Sequence, residues 1–150
     1  MDTIWKPHAT VATVVERDGR FLVVEERVGG RLCINQPAGH LEPHESLVAA
    51  ASRETLEETG YQVEITALLG IYQWRNPEND KHFLRVAFCG SLSQQEPSPN
   101  IDAAIEEVHW MSHEQLAADP GRLRSPIVER NVRDYLDGQR YPLDLLTHWS

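Results

Sequence analysis

Apolar runs broken by short polar turns occupy most of the chain. Residues 8–16 (HATVATVVE) and 20–26 (RFLVVEE) are rich in β-branched side chains and flank Asp18-Gly19. That pattern predicts an antiparallel hairpin. Residues 28–31 (VGGR) predict a second turn, and 32–37 lead into a short loop. From Ser46 the period lengthens from two to nearly four, which predicts a helix over 46–59. Glu45 and Ser46 stand at its cap, Ala49, Ala50 and Ala51 favour it, and Gly60 follows at the stop position. Residues 62–74 and 81–92 again predict strands, joined by a loop over 75–80 that contains Asn76-Pro77. The polar, proline-bearing stretch 92–102 is expected to be a flexible connection. A strand over 105–111, a short helix over 113–118 capped by Ser112, and an amphipathic helix over 126–136 ended by Gly138 complete the pattern. Strand pairs with intervening helices predict an α/β architecture with a mixed sheet between helices.

A length of 150 residues with 41% hydrophobic content predicts one compact domain over 1–150. No stretch approaches the roughly 18 apolar residues that a membrane crossing needs, and the first residues lack a leader pattern, so a cytoplasmic protein is expected. Cys33 and Cys89 are far apart and predict two reduced, partly buried thiols. The net charge of −9 argues against a nucleic-acid polymer as partner. If the ligand carries phosphate, cations must mediate its binding.

Candidate chemistry concentrates on the predicted helix. Glu54, Glu57 and Glu58 are spaced i, i+3, i+4, within an arc of about 100°, so their carboxylates are expected to converge. They continue a stripe begun by Leu47, Ala50 and Ala51, which points them into a cleft. Converging carboxylates in a cleft suit a hard divalent cation, Mg²⁺ or Mn²⁺, that keeps coordination positions for substrate phosphates. Arg53, four residues before Glu57, can hold that carboxylate in orientation. Gly39 stands where backbone approaches something closely. His40, Glu42 and His44 alternate like zinc ligands but crowd one loop. Trp74, Arg75 and Lys81 cluster with Gln73 around a loop tip, where binding groups are often carried. Trp74, Phe83 and Phe88 are equally readable as core. Arg85 is either a paired edge residue or a phosphate contact. Glu106 and Glu107 are either exposed strand-edge residues or a source of one more metal ligand.

Gly39, five residues, Glu45, seven residues, then Arg53-Glu54-Thr55-Leu56-Glu57-Glu58-Thr59-Gly60-Tyr61 resembles the Nudix box. Thr55 departs from it, since an apolar residue is usual there, and is expected to weaken helix packing. The resemblance implies a Nudix α/β/α sandwich and Mg²⁺-dependent hydrolysis of phosphoanhydride bonds, with Mn²⁺ as the alternative metal. It implies Arg53, Glu54 and Glu57 as catalytic groups and a metal set of Glu54, Glu57, Glu58, Glu106 and the Gly39 carbonyl. Substrate contacts would come from Trp74, Arg75, Lys81 and Arg85. WKPHATVA, INQPAGHLE, Gln73-Trp74, FLR, LRSP and GQRYPL resemble a phosphatase subgroup of the family. That subgroup implies release of orthophosphate from nucleoside tri- and diphosphates and from hydroxymethylpyrimidine and thiamine diphosphates. The expected partner is thus a small phosphorylated molecule, and the expected state a monomer, with a homodimer as alternative. Two other readings are a pyrophosphohydrolase of an oxidised nucleotide, a dinucleoside polyphosphate or ADP-ribose, and a non-catalytic nucleotide sensor.

Overall fold

Strand β1 (His8–Arg17) joins two sets of strands. In the computed structural model, which describes residues 3–150, residues 8–15 of β1 pair in parallel with β6 (His82–Leu92). Residues 10–12 pair on the other side with β4 (Ala38–His40). Met1 and Asp2, which open the stretch read for a leader, lie outside the described residues. β6 continues antiparallel to β5 (Val63–Arg75). The expected hairpin with β2 (Arg20–Val28) is present but short, reduced to the pairs Glu16↔Phe21 and Arg17↔Arg20. Asp18 and Gly19 both have positive φ, 52° and 78°, as a primed hairpin turn requires. Beyond the turn the strands diverge. β2 is taken up by β3 (Arg31–Asn35) on one side and β7 (Ile105–Met111) on the other. Val11, Ala12, Val14 and Val15 are all buried, so β1 is covered on both faces, the usual state of a parallel inner strand.

Helices cover the two faces. α1 (Leu47–Thr59) lies over the cluster containing Val11, Val15, Leu22 and Phe88. α2 (His113–Ala118) and α3 (Ile127–Leu136) supply Leu116, Val128 and Val132 to the opposite cluster with Val14, Phe21 and Leu69. Val14 and Val15 fall in different clusters because successive strand residues point to opposite faces. The seven-stranded mixed sheet between helices is the expected α/β architecture.

α1 begins at Ser46, whose hydroxyl accepts from the Ala49 N–H at 3.0 Å, and stops at Gly60 with φ 78°. Thr55 does not weaken its packing as expected. It is fully buried, donates to the Ala51 carbonyl at 2.8 Å and lies 3.0 Å from the Thr13 hydroxyl of β1, so its polar atom is satisfied. The stretch 92–102 is likewise not a loose connection. The N–H groups of Ser93, Ser98 and Asp102 donate to the carbonyls of Gln62, Gly60 and Glu57 at 2.8, 2.8 and 2.7 Å, which fastens it along the end of α1. Cys33 and Cys89 are free thiols, buried more completely than expected. Among the described residues no helix is long and apolar enough to cross a membrane.

Candidate active site

The inward face of α1 is formed by Ala50, Ala51, Thr55, Glu58 and Thr59. This rotation separates the three glutamates expected to converge. Glu58 points inward and is 8% exposed, Glu54 lies beside it, and Glu57 is turned to the rim with nearly half of its side chain exposed. The correction follows from the helix geometry, since a face that buries positions 51, 55 and 58 leaves position 57 about 100° away from 58. Glu58 accepts the Ala38 N–H at 2.8 Å, and burial together with the charges of Glu26, Glu54 and Asp102 pushes its pKa up to about 8. Burial also raises the pKa of Glu54 against the opposing pull of Arg53.

Gly39 lies under Glu54. A Cβ at position 39 would overlap the Glu54 carboxylate, so the absent side chain is what lets that group reach the cleft wall. Arg53 ties the box together. It donates to Glu45 at 2.7 and 2.9 Å, to Glu54 at 2.8 Å, to Glu57 at 3.2 Å and to the His40 carbonyl at 3.2 Å. Glu45 is held as carboxylate, its pKa lowered chiefly by Arg53, and also accepts the Glu42 N–H.

A cleft of about 420 Å³ opens between this region and the ends of β5 and β6. Glu26 and Asp102 line it alongside Glu54 and Glu58. Neither was singled out in the sequence, although LVVEE offered a signal: adjacent glutamates closing a buried strand point to opposite faces, so one must turn toward the cleft. Asp102 gave no such signal, because only the fastening of 92–102 onto α1 brings it there. Glu106 is elsewhere. It is exposed, 3.7 Å from Arg27, and does not line the cleft. Glu107 lies within 4.8 Å of Glu25 and His109 as a second cluster, in which Glu25 is already engaged by Arg122 at 2.7 Å.

Arg85, Arg124, Trp74 and Phe83 line the same cleft. Trp74 and Phe83 stack with centroids 5.8 Å apart, whereas Phe88 is core. Arg75 and Lys81 are not among the cleft residues. Strand alternation turns Arg75 outward to Asp80 at 3.0 Å, and Lys81 lines an adjoining groove that shares Trp74 and Arg124 with the cleft. The His40 ring meets His8 at 3.0 Å and Glu42 turns toward Arg53 at 3.5 Å, so they do not form a zinc site with His44.

The donor set suits a hard divalent cation. Four carboxylates from β2, α1 and the 92–104 connection share the cleft, and two of those on α1 and one on β2 have pKa values raised by burial. A cation would offset the cost of holding these buried groups charged, and the repulsion among them.

The NUDIX domain model matches residues 6–131, and the chain belongs to the Nudix family. It is a hydrolase of pyrophosphate bonds. It is 44% identical over 143 residues to Phosphatase NudJ of Escherichia coli strain K12, covering 95% of this chain and 92% of that protein, and equally to Phosphatase NudJ of Shigella flexneri. A NUDIX hydrolase from Nitrosomonas europaea is 42% identical and superposes with a TM-score of 0.91, covering 96% of this chain and 98% of that one. A MutT NUDIX hydrolase from Burkholderia pseudomallei shares the fold at 22% identity, with a TM-score of 0.73 over 87% of this chain and 98% of that one.

Proposed function

We propose that this chain is a divalent-cation-dependent phosphatase that releases orthophosphate from nucleoside tri- and diphosphates and from hydroxymethylpyrimidine and thiamine diphosphates. The observation that carries the reading is a single cleft lined both by the carboxylates Glu26, Glu54, Glu58 and Asp102 and by the guanidinium groups of Arg85 and Arg124. Such a cleft is matched to a phosphorylated molecule of small size; the phosphatase reading is supported by the likeness to Phosphatase NudJ, and the substrate range rests on the subgroup resemblance in the sequence.

Glu26, Glu54, Glu58 and Asp102 would hold Mg²⁺ or Mn²⁺, which supplies neutralisation of phosphoryl charge and lowers the pKa of bound water. The residues of the chain do the rest. Glu54, with its raised pKa, orients the attacking water and accepts its proton. Arg53 fixes Glu54 through the 2.8 Å bond and Glu57 at the rim. Arg85 and Arg124 bind phosphoryl oxygens, and Trp74 with Phe83 packs against the organic part of the substrate.

The test is a screen of these substrates with Mg²⁺, Mn²⁺ and a chelator, read separately for orthophosphate and pyrophosphate. Orthophosphate release that stops on chelation, and falls at least about 100-fold in Glu54→Gln, is expected. Pyrophosphate as the product from a nucleoside triphosphate would replace this reading with a pyrophosphohydrolase, and no turnover of any substrate would favour a sensor.

A further inference from the structure

One guanidinium in the cleft is surrounded by neutral amides. Arg85 donates from Nη1 to the side-chain oxygens of Gln36 and Asn131, both at 3.0 Å, and from Nη2 to that of Asn35 at 2.8 Å. All three acceptors are buried, and the Gln36 amide is itself fixed by donating to the Val128 carbonyl at 2.7 Å. A guanidinium has five N–H donors, so these bonds leave two over. None of the bonded partners carries negative charge. The pKa of Arg85 is pushed down to about 10 by burial and by the neighbouring charge of Arg124, which leaves it protonated at neutral pH.

The arrangement is kept at the expense of one polar atom. Asn131 Nδ2 is buried without a hydrogen-bond partner. An aspartate of nearly the same shape would remove that orphan and neutralise Arg85, yet the chain has asparagine. Glu58 and Glu26 act on Arg85 only through space, and a rigid guanidinium with donors to spare and no carboxylate bonded to it suits a phosphoryl group. Asn35 and Gln36 stand just before Ala38, which holds Glu58, and Gly39, which lies under Glu54, so one short run of backbone sets the distance from the cradle to the carboxylates. The cradle residues Asn35, Gln36 and Asn131 are themselves buried, as is Val128, to which Gln36 is bonded, which closes this end of the cleft. A terminal phosphoryl group, with one covalent connection, fits such a dead end, whereas an internal phosphate needs two exits.

We propose that Arg85, in its cradle of Asn35, Gln36 and Asn131, seats the terminal phosphoryl group that leaves as orthophosphate, while the rest of the substrate runs outward along Trp74 and Phe83. This rests on the orthophosphate-releasing reading above. In the step, the water oxygen bonds to the terminal phosphorus and the bond from that phosphorus to its bridging oxygen breaks. The electron pair stays on the bridging oxygen, which becomes the end of the shortened phosphate, and the proton of the water passes to the carboxylate that orients it. Arg85 stays on the oxygens of the departing orthophosphate throughout.

The experiment titrates full-length protein, with Mg²⁺, with inorganic phosphate and separately with a nucleoside 5′-methylphosphate diester, which has no terminal phosphoryl group. Both Asn131→Asp and Arg85→Gln are compared with the parent. The expected result is at least a tenfold loss of orthophosphate affinity in each, with diester affinity within twofold. Asn131→Asp supplies the control for folding, because it should melt no lower than the parent while still losing orthophosphate. Loss of diester affinity with orthophosphate unchanged would place an internal phosphate at Arg85 and overturn the proposal, as would no change in either. Product analysis of the parent tests the underlying reading separately: pyrophosphate release beside a lost orthophosphate site in Asn131→Asp would refute the function and leave the seat standing.

Discussion

At Glu58, burial and like charge act in the same direction. Its pKa of about 8 in the folded protein stands above the ordinary carboxylate value of 4.5 that the unfolded chain should show. Between those values the folded state binds more protons than the unfolded one, so stability of the cation-free protein falls as pH rises from about 4.5 to 8. Thermal melts in chelator should show that slope, and Glu58→Gln should flatten it. Excess Mg²⁺ should raise the melting temperature more at pH 8 than at pH 5, since protons compete with the cation for the same oxygens. Gly39 offers a complementary case. Gly39→Ala places a methyl group where the Glu54 carboxylate lies, while asking for no unusual backbone angle. Turnover should drop about 100-fold or more with only a small change in melting temperature, because displacing a reacting group by an ångström has that effect on rate.

The end of α1 controls a second element. Gly60 has φ 78° and packs its Cα against the Ser98 carbonyl, leaving no room for a Cβ. Gly60→Ala should therefore destabilise the fold by at least about 1 kcal/mol and also loosen the connection that carries Asp102. Chemical denaturation and Mg²⁺ affinity, measured on the same variant, check the two effects. This element shows where sequence stops being informative. The helix itself was legible from Ser46, the alanines and Gly60, because caps and periodicity are local signals. The fastening of the exposed stretch 92–102 was not, because its backbone N–H groups are satisfied by carbonyls at and just beyond the end of α1 that only the fold supplies. The rotation of α1, which buries Glu58 and turns Glu57 outward, is equally non-local, since it brings Thr55 against Thr13 on the face of β1 beneath the helix.

Across the whole molecule most strands were legible, β3 and β4 in the stretch read as a lead into a loop excepted, and their partners were not. A turn signal such as Asp18-Gly19 tells which strands meet at a corner, but nothing near β1 names β6 as its parallel neighbour. The site straddles this same join. Glu26 comes from the strand that leaves the corner, Glu54 and Glu58 from the helix after it, and Arg85 from the strand that pairs with β1. Of the other residues that line the cleft, Trp74 and Arg85 were visible as side chains worth watching. Arg124 was not, because it comes from the approach to α3, far along the chain.

The pairing His8↔Phe83 joins residues 75 positions apart, and it times the assembly of the molecule. At roughly 5 to 20 residues per second of synthesis, the first strand waits some 4 to 15 seconds on the ribosome for its neighbour to be made. During that interval its valine-rich edge has no lasting mate and is open to sticking. Nascent chains stalled before residue 82 should be cleaved readily by protease within residues 8–17 and should aggregate on release, while chains long enough to expose residue 92 should resist both.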